Sequence, residues 1–302
     1  MAEIPVLRFA PSPNGPLHLG HAYSAVFTWS LAKRLGGRFL LRIEDIDTLR
    51  SREAHVEQIF DDLGWLGLTW ERPVRRQSRH FDDYFAALDR LRSLDVLYPC
   101  FATRQEIAAA VASHGSHSVD PEGVPVYPSL STLLTTEERR RLMEEGRPYA
   151  LRLDCRRAWE MARDRAGGRL TFVEHGRGPA GEHGEIPVDP TVWGDVVIAR
   201  KDIGTSYHLS VVVDDALQGV SLVTRGQDLF HATHIHRVLQ VLLDLPEPAY
   251  HHHDLIRDET GRRLAKSAGD TSLAVLRKAG WTRQRVLEAV GLAADHAIPP
   301  AG

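Results

Sequence analysis

Short apolar runs alternate with stretches of helical spacing along this chain, and their order is the first clue to its architecture. Val6 to Ala10 reads as a buried strand that runs into Pro11-Ser12-Pro13-Asn14-Gly15-Pro16, where prolines fix φ and glycine relieves the turn. Tyr23, Val26, Phe27 and Leu31 then sit close to helical spacing, and Gly36-Gly37 stops that helix. Phe39 to Ile43 is a second apolar strand, ending in Glu44-Asp45. Residues 4–45 therefore read strand–loop–helix–strand, the unit of a parallel α/β sheet. Two amphipathic helices follow, one carrying Val56, Ile59, Phe60 and Leu63, the other Tyr84, Leu88 and Leu91.

From about 101 to 149 the pattern blurs into Ala-, Ser-, His- and Pro-rich sequence with a polar helix near 136–145, and 164–191, rich in Gly and Pro, reads as a loop. Asp195 to Arg200 and His208 to Val213 read as strands. So does Leu222 to Thr224, followed by a helix with Ile235, Val238, Leu239 and Leu242 at helical spacing. After Pro246 a loop leads to Gly261-Arg262-Arg263-Leu264-Ala265-Lys266-Ser267, and short helices close the chain. Strands alternating with helices predict an α/β fold, a Rossmann-like doubly wound parallel sheet with an inserted subdomain and a short C-terminal helical segment. The expected division is 1–100 and 150–245 for the two halves of the sheet domain, 101–149 for the insertion, and 246–302 for the loop and terminal helices.

Composition narrows the class without choosing a function. At 302 residues, with 43% hydrophobic and 25% charged side chains, the chain can bury a sizeable core of ordinary globular type. No apolar run reaches the ~18 residues that span a bilayer, and Met1-Ala2-Glu3-Ile4-Pro5 has no signal-peptide character. The expectation is a cytoplasmic protein with no membrane partner. Cys100 and Cys155 are the only cysteines, which excludes a disulfide scaffold and a four-cysteine zinc site. Forty acidic against 37 basic residues leave a net charge of −3, so a nucleic-acid partner would need a local basic patch. Of those basic residues only Lys33, Lys201, Lys266 and Lys278 are lysines, which draws attention to the one in the late loop.

Two segments could carry chemistry. The first is Arg8-Phe9-Ala10-Pro11-Ser12-Pro13, continuing to His18-Leu19-Gly20-His21 at a helix start. Free backbone N–H groups and the helix dipole make that end an anion site, imidazoles can donate to phosphate oxygens, and Gly20 leaves room for a nucleotide base. A strand-to-helix turn with incidental histidines is the alternative. The second is Arg262-Arg263-Leu264-Ala265-Lys266-Ser267, a cationic glycine-containing loop suited to a transferring polyphosphate, or else a solvated basic loop.

His18-Leu19-Gly20-His21 resembles the "HIGH" signature of class I aminoacyl-tRNA synthetases, and Leu264-Ala265-Lys266-Ser267 resembles their "KMSKS" loop. Arg8 to Pro13, Leu41-Arg42-Ile43-Glu44-Asp45, Asp214 to Val220 and Thr224-Arg225-Gly226-Gln227-Asp228-Leu229 are similar to the glutamate-specific branch, in the family order. The resemblance implies ATP and Mg²⁺ as reaction partners and an in-line attack of the glutamate carboxylate on the α-phosphate, governed by positioning and charge neutralisation. Such a substrate calls for arginines around its carboxylates and an acid for its ammonium. The resemblance assigns Arg8, Phe9, Ala10, Pro11, Ser12, Glu44, Tyr207 and Arg225 to glutamate. It assigns His18, Gly20, His21, Arg263 and Lys266 to ATP, with His18, His21 and Lys266 as the catalytic group. Glu44 with Arg42 could instead be a strand-end ion pair, and Tyr207 plain core packing.

Little chain follows Ser267, whereas a full glutamyl-tRNA synthetase carries a helical anticodon-binding region there. The expected absence of that domain resembles the glutamyl-Q tRNA(Asp) synthetases, paralogues that activate glutamate without tRNA and attach it to queuosine in the anticodon of tRNA(Asp). Partners are then glutamate, ATP and queuosine-bearing tRNA(Asp), and the protein is expected to be a monomer. The alternatives are a truncated glutamyl-tRNA synthetase charging the tRNA 3′ end, and a non-catalytic synthetase-derived tRNA- or nucleotide-binding protein.

Two departures stand out. The family often holds zinc in the insertion, but here only Cys100 and Tyr127 remain at the matching positions, too few soft donors for a structural site, so no zinc is expected. Arg263 and Ala265 stand where the common loop has lysine and serine, while Lys266 is kept. The histidines at 251–253, with His231, His234 and His236, read as surface residues or supports rather than metal ligands, because successive strand positions face opposite ways. Asp214-Asp215 could bind Mg²⁺ or mark a strand-end turn.

Overall fold

Two-residue alternation in the first strands divides their side chains between two cores. The computed structural model describes residues 4–113, 119–121, 123, 125–127, 134–256 and 271–292. It begins with β1 (Val6–Phe9), α1 (Leu19–Arg34), β2 (Arg38–Ile43), α2 (Glu53–Trp65) and β3 (Glu71–Arg76), whose strands pair in parallel in the order β1-β2-β3. After α3 (Phe81–Ser93) come β4 (Leu97–Cys100), α4 (Arg104–Ser113), α5 (Thr136–Glu144), β5 (Ala150–Leu153), α6 (Cys155–Arg165), β6 (Thr171–Glu174), β7 (Gly184–Pro187) and β8 (Val197–Ala199). The chain closes with α7 (Tyr207–Leu217), β9 (Leu222–Gly226), α8 (Ala232–Leu242), β10 (Ala249–His253), α9 (Leu273–Lys278) and α10 (Arg283–Ala289).

β9 and β10 are parallel, with Leu222 opposite Ala249 and Gly226 opposite His253. β6 joins β10 in parallel and turns back as a hairpin with β7, giving the order β7-β6-β10-β9. Ser221 ties this sheet to the first: its N–H donates to the Val6 carbonyl at 3.0 Å, its hydroxyl accepts the Val6 N–H at 3.0 Å, and its carbonyl accepts the Ala249 N–H at 2.9 Å. Past that clamp the Arg8 guanidinium spans from β1 to β9, donating to the Thr224 carbonyl at 3.0 Å. The strand order β3-β2-β1-β9-β10-β6 therefore reverses direction between β1 and β9. In doubly wound sheets that is the crevice in which ligands bind, at the carboxyl ends of the strands.

Both faces are covered. Leu7 and Phe9 of β1 and Phe39, Leu41 and Ile43 of β2 pack in one core with residues of α1, α2, α9 and α10. Val6 and Leu40 face the other core, with residues of α3, α6, α7 and α8. Leu7, Leu41 and Ile43 are almost wholly buried, each stabilising the fold by roughly 1.5–3 kcal/mol relative to exposure. The same alternation sends Arg8, Arg42 and Arg225 to the α7–α8 side, where polar partners meet them. Among the described residues no helix is long and apolar enough to cross a membrane.

The doubly wound α/β class agrees with the pattern read from the sequence, while several local readings need correction. His208 to Val213 is helix, not strand: nearly all of α7 is buried, so no polar stripe exposes a helical period, and Val211-Val212-Val213 mimics a strand. The stretch 164–191 is not all loop, for β6 and β7 lie within it as four-residue strands flanking the Gly/Pro turn. The segment after Pro246 contains β10, and the charged β3, with Pro73 inside it, is an edge strand. α5 forms where the polar helix was expected, closed by a Thr135–Glu138 capping box. β4, β5 and β8 make a separate antiparallel sheet, so the chain from Leu97 to Ala199 feeds two sheets.

Candidate active site

The crevice between β1 and β9 opens into a cleft of about 530 Å³. Arg8, Phe9, Ala10, Pro11 and Ser12 line it, together with Glu44 from the end of β2, Tyr207 from the start of α7 and Arg225 from β9. His18, Gly20 and His21 line the same cleft from the start of α1. Every one of these positions was singled out in the sequence. Tyr23, Ser24, Asp228, His253 and Asp254 also line it and were not read as site residues; Tyr23 registered only as part of a helical face, Asp228 only within a motif and His253 only as a surface residue or support.

His18 and His21 build the helix start as well as facing the cleft. The Gly20 N–H donates to His18 Nδ1 at 3.1 Å, and the His18 N–H donates to His21 Nδ1 at 3.2 Å, a capping box made of two imidazoles. A neutral imidazole whose Nδ1 accepts must carry its proton on Nε2, so each ring is set as an Nε2–H donor. A Cβ on Gly20 would meet the His18 ring at 3.0 Å, which explains glycine between them. The N-terminal dipole of α1 adds positive potential for an anion.

Three arginines were brought to the α7–α8 side, and they are not equivalent. Arg8 grips Asp215 through Nε at 2.9 Å and Nη2 at 3.2 Å. Arg42, fully buried, donates to Asp215 at 2.7 Å, to Gln218 at 3.0 Å and to Glu44 at 3.0 Å. Burial alone would raise the Asp215 pKa, but Arg8 and Arg42 outweigh it and hold the carboxyl below its ordinary range. Burial pushes Glu44 upward, against the pull of Arg42 and Arg8. Glu44 is thus both ion pair and cleft lining. Asp214 is taken by Arg75 at 2.7 Å, Gln77 at 2.8 Å and the Tyr84 hydroxyl at 3.0 Å. The Asp214-Asp215 pair lies in helix α7, engaged with buried arginines, so neither the Mg²⁺ reading nor the strand-end turn describes it.

Arg225 has a different environment. Its Nε donates to His252 Nε2 at 3.1 Å, Nη1 to His236 Nδ1 at 3.0 Å, and Nη2 to Thr233 Oγ1 at 2.5 Å, with the Tyr207 hydroxyl 3.5 Å from Nη1. Among the described residues no carboxylate pairs with it directly. Burial, reinforced by the Arg225 charge, drives His208 down to about 4. Burial likewise takes His252 down to about 4, even with Glu174 alongside, and His236 falls well below its ordinary value. The rings around Arg225 are therefore neutral, and the arginine faces the cleft with, among the described residues, no carboxylate paired directly to it. His236 and His252 stand behind the site, as one of the two sequence readings had it; His234 is buried rather than superficial, and His251 and His253 face the Phe27 side of the sheet.

Lys266 and Arg263 lie outside the described residues. Of the described residues on either side of them, Ile256 lines the cleft and Ser272 bridges to His18. Cys100 and Tyr127 are neighbours, sulfur to hydroxyl 3.3 Å, with the Arg152 guanidinium stacked 3.7 Å over the Tyr127 ring. A cation stacked on that ring, with one thiol and one phenol as the donor set, does not suit zinc. Among the described residues no three His, Cys, Asp or Glu side chains gather as a metal site.

Comparison with known proteins places these features in a family. The family model described as tRNA synthetases class I (E and Q), catalytic domain, matches residues 6–294. A glutamyl-Q tRNA(Asp) synthetase of Rhodobacter capsulatus is 45% identical over 290 residues, covering 95% of this chain and all of that protein. One from Nocardia farcinica is 41% identical, covering 93% of this chain and 81% of its own length. The crystal structure of a glutamate-tRNA synthetase from Elizabethkingia anophelis superposes with a TM-score of 0.70 at 28% identity over 88% of this chain. The chain spans about half of that longer synthetase, 53% of its length.

Proposed function

This chain belongs to the class I tRNA synthetases of the E and Q type, and from that premise we propose that it activates glutamate with ATP and transfers it to tRNA. The observation that carries the reading is one cleft joining Arg8, Glu44, Tyr207 and Arg225 to the imidazole-capped start of α1. Arg225 offers a donor to a carboxylate, and Glu44 offers an acceptor to an ammonium; Arg8, spent largely on Asp215, keeps two N–H donors for the same substrate. Tyr207 and the Phe9–Ser12 backbone frame the amino acid. Gly20 leaves space for the nucleotide, while His18 and His21 donate through Nε2 to phosphate oxygens.

In the reaction the glutamate α-carboxylate oxygen bonds to the α-phosphorus of Mg²⁺-bound ATP as pyrophosphate leaves, forming glutamyl-adenylate. No general base is required, because the nucleophile is already ionised; alignment and stabilisation of developing charge supply the rate. Lys266 and Arg263 neutralise the departing pyrophosphate. The insertion works without zinc, which the poor donor set at Cys100 and Tyr127 supports. The protein acts as a cytoplasmic monomer.

The acceptor is queuosine in tRNA(Asp), and activation needs no tRNA, a reading supported by two glutamyl-Q relatives at 45% and 41% identity. Glutamate-dependent ATP–pyrophosphate exchange without tRNA, abolished in Lys266→Ala, is the expected result. Labelled glutamate should then pass to queuosine-bearing tRNA(Asp) even when its 3′-terminal adenosine is removed. Exchange only with tRNA, and transfer lost on trimming, would identify a 3′-charging enzyme instead. Tight binding of a glutamyl-adenylate analogue with no turnover would point to the non-catalytic protein.

A further inference from the structure

Glu174, at the end of β6, takes no part in the reading above, yet its side chain is fully buried. Oε1 accepts the backbone N–H of His252 at 2.9 Å and of Gly176 at 2.7 Å, while Oε2 lies 2.5 Å from His252 Nδ1. On the far side of the same ring, Nε2 accepts from Arg225 Nε. An arginine can only donate, so Nε2 must hold the lone pair and Nδ1 the proton, and that proton faces an acceptor-only carboxylate. His236 repeats the logic: Nδ1 accepts from Arg225, so Nε2–H faces His208 Nδ1 at 3.1 Å. With Thr233 on Nη2 and a long bond from Nη1 to the Tyr207 hydroxyl at 3.5 Å, four of the five N–H bonds of Arg225 are held from within the fold, and the second hydrogen of Nη2 remains.

We infer that Glu174, acting through His252, is a positioning residue for Arg225: it sets the His252 tautomer and thereby holds the guanidinium with its outer edge toward a substrate carboxylate. The inference rests on the glutamate reading above. It also explains how an arginine with no directly paired carboxylate can remain buried at the cleft, since Glu174 stands one imidazole away.

Glu174→Gln tests it in the full-length protein. The two backbone N–H groups pin the amide oxygen, so the amide nitrogen faces His252 Nδ1 and forces the proton to Nε2, donor against donor at Arg225. Loss of a hydrogen bond to a charged group should raise the glutamate KM about tenfold or more. The ATP KM should stay within about twofold, because the nucleotide side of the cleft is untouched. ¹⁵N NMR should report the tautomer switch. Glu174→Gln/His252→Gln places an amide oxygen where Nε2 stood, independent of Glu174, and should recover most of the glutamate KM. A switched tautomer with unchanged glutamate KM, ATP and glutamate KM rising together, or no recovery in the double variant would overturn the inference. If Glu174→Gln does not fold, His252→Gln against His252→Ala serves: the acceptor-bearing variant should keep the lower glutamate KM, and equal values overturn the idea. A wild-type protein with no glutamate-dependent exchange, with or without tRNA, would instead remove the glutamate reading itself, while the NMR tautomers still test the Glu174–His252–Arg225 link.

Discussion

Asp215→Asn should be among the most destabilising single substitutions near the cleft. The carboxylate is buried and receives three charge-assisted bonds, two from Arg8 and one from Arg42. Asparagine keeps the shape but removes the charge. Arg42 still has Glu44 at 3.0 Å and Asp214 at 3.7 Å, whereas Arg8 loses its anionic partner and keeps only the Thr224 carbonyl and one neutral amide oxygen. Stranding a buried charge in this way costs about 3–5 kcal/mol. With an unfolding entropy of about 0.6 kcal/mol/K for a chain this long, the melting temperature should drop by roughly 5–8 °C at pH 7. Asp215 has a depressed folded-state pKa, so its contribution is complete above the unfolded value, about 3.9, and is lost as pH falls from there toward the folded value. The two proteins should therefore converge only in acid. Urea denaturation, read by fluorescence and circular dichroism, gives the difference directly, and Arg8→Met/Asp215→Asn should recover part of it because both charges are gone. A single variant within about 1 kcal/mol of wild type, or a double variant costing the sum of the two singles, would refute the reasoning.

Two further outcomes follow from the same geometry. His208, His234 and His252 are held neutral with values near 4, chiefly by burial, and the unfolded chain protonates them below about 6.5. Unfolding thus takes up protons between those limits, and the melting temperature, level from pH 8 to 7, should fall steeply from about 6.5 toward 4; a flat profile from pH 7 to 5 would contradict it. Gly20→Ala should leave stability within about 1 kcal/mol while pushing the His18 ring, so the ATP KM should rise and the glutamate KM should not; equal changes in both would count against the nucleotide assignment.

The candidate site was legible where its chemistry lies in one short segment. Arg8 to Ser12 and His18 to His21 could be named as a candidate because a proline-glycine loop and a helix start are local features, and the resemblance to a synthetase family supplied the roles of Glu44, Tyr207 and Arg225. The order of strands and helices likewise announced a doubly wound sheet. Helix α7 was misread because burial on nearly every side erased the polar stripe that marks a helix, and β6 and β7 because the glycines and prolines in and between them mark the whole stretch as loop.

What the sequence determined by itself is therefore the set of groups that need no partner to declare their chemistry: backbone turns, helix caps and the residue types a carboxylate and a phosphate require. Which arginine is spent and which is left for substrate was decided only by tertiary structure. Arg8, Arg42 and Arg225 look alike in the chain, but Asp215 stands 207 positions from Arg8, and Glu174 reaches Arg225 through His252, 78 positions further on. Coulomb and hydrogen-bond energies depend on distance in space and on exclusion of water, and neither is written in sequence separation.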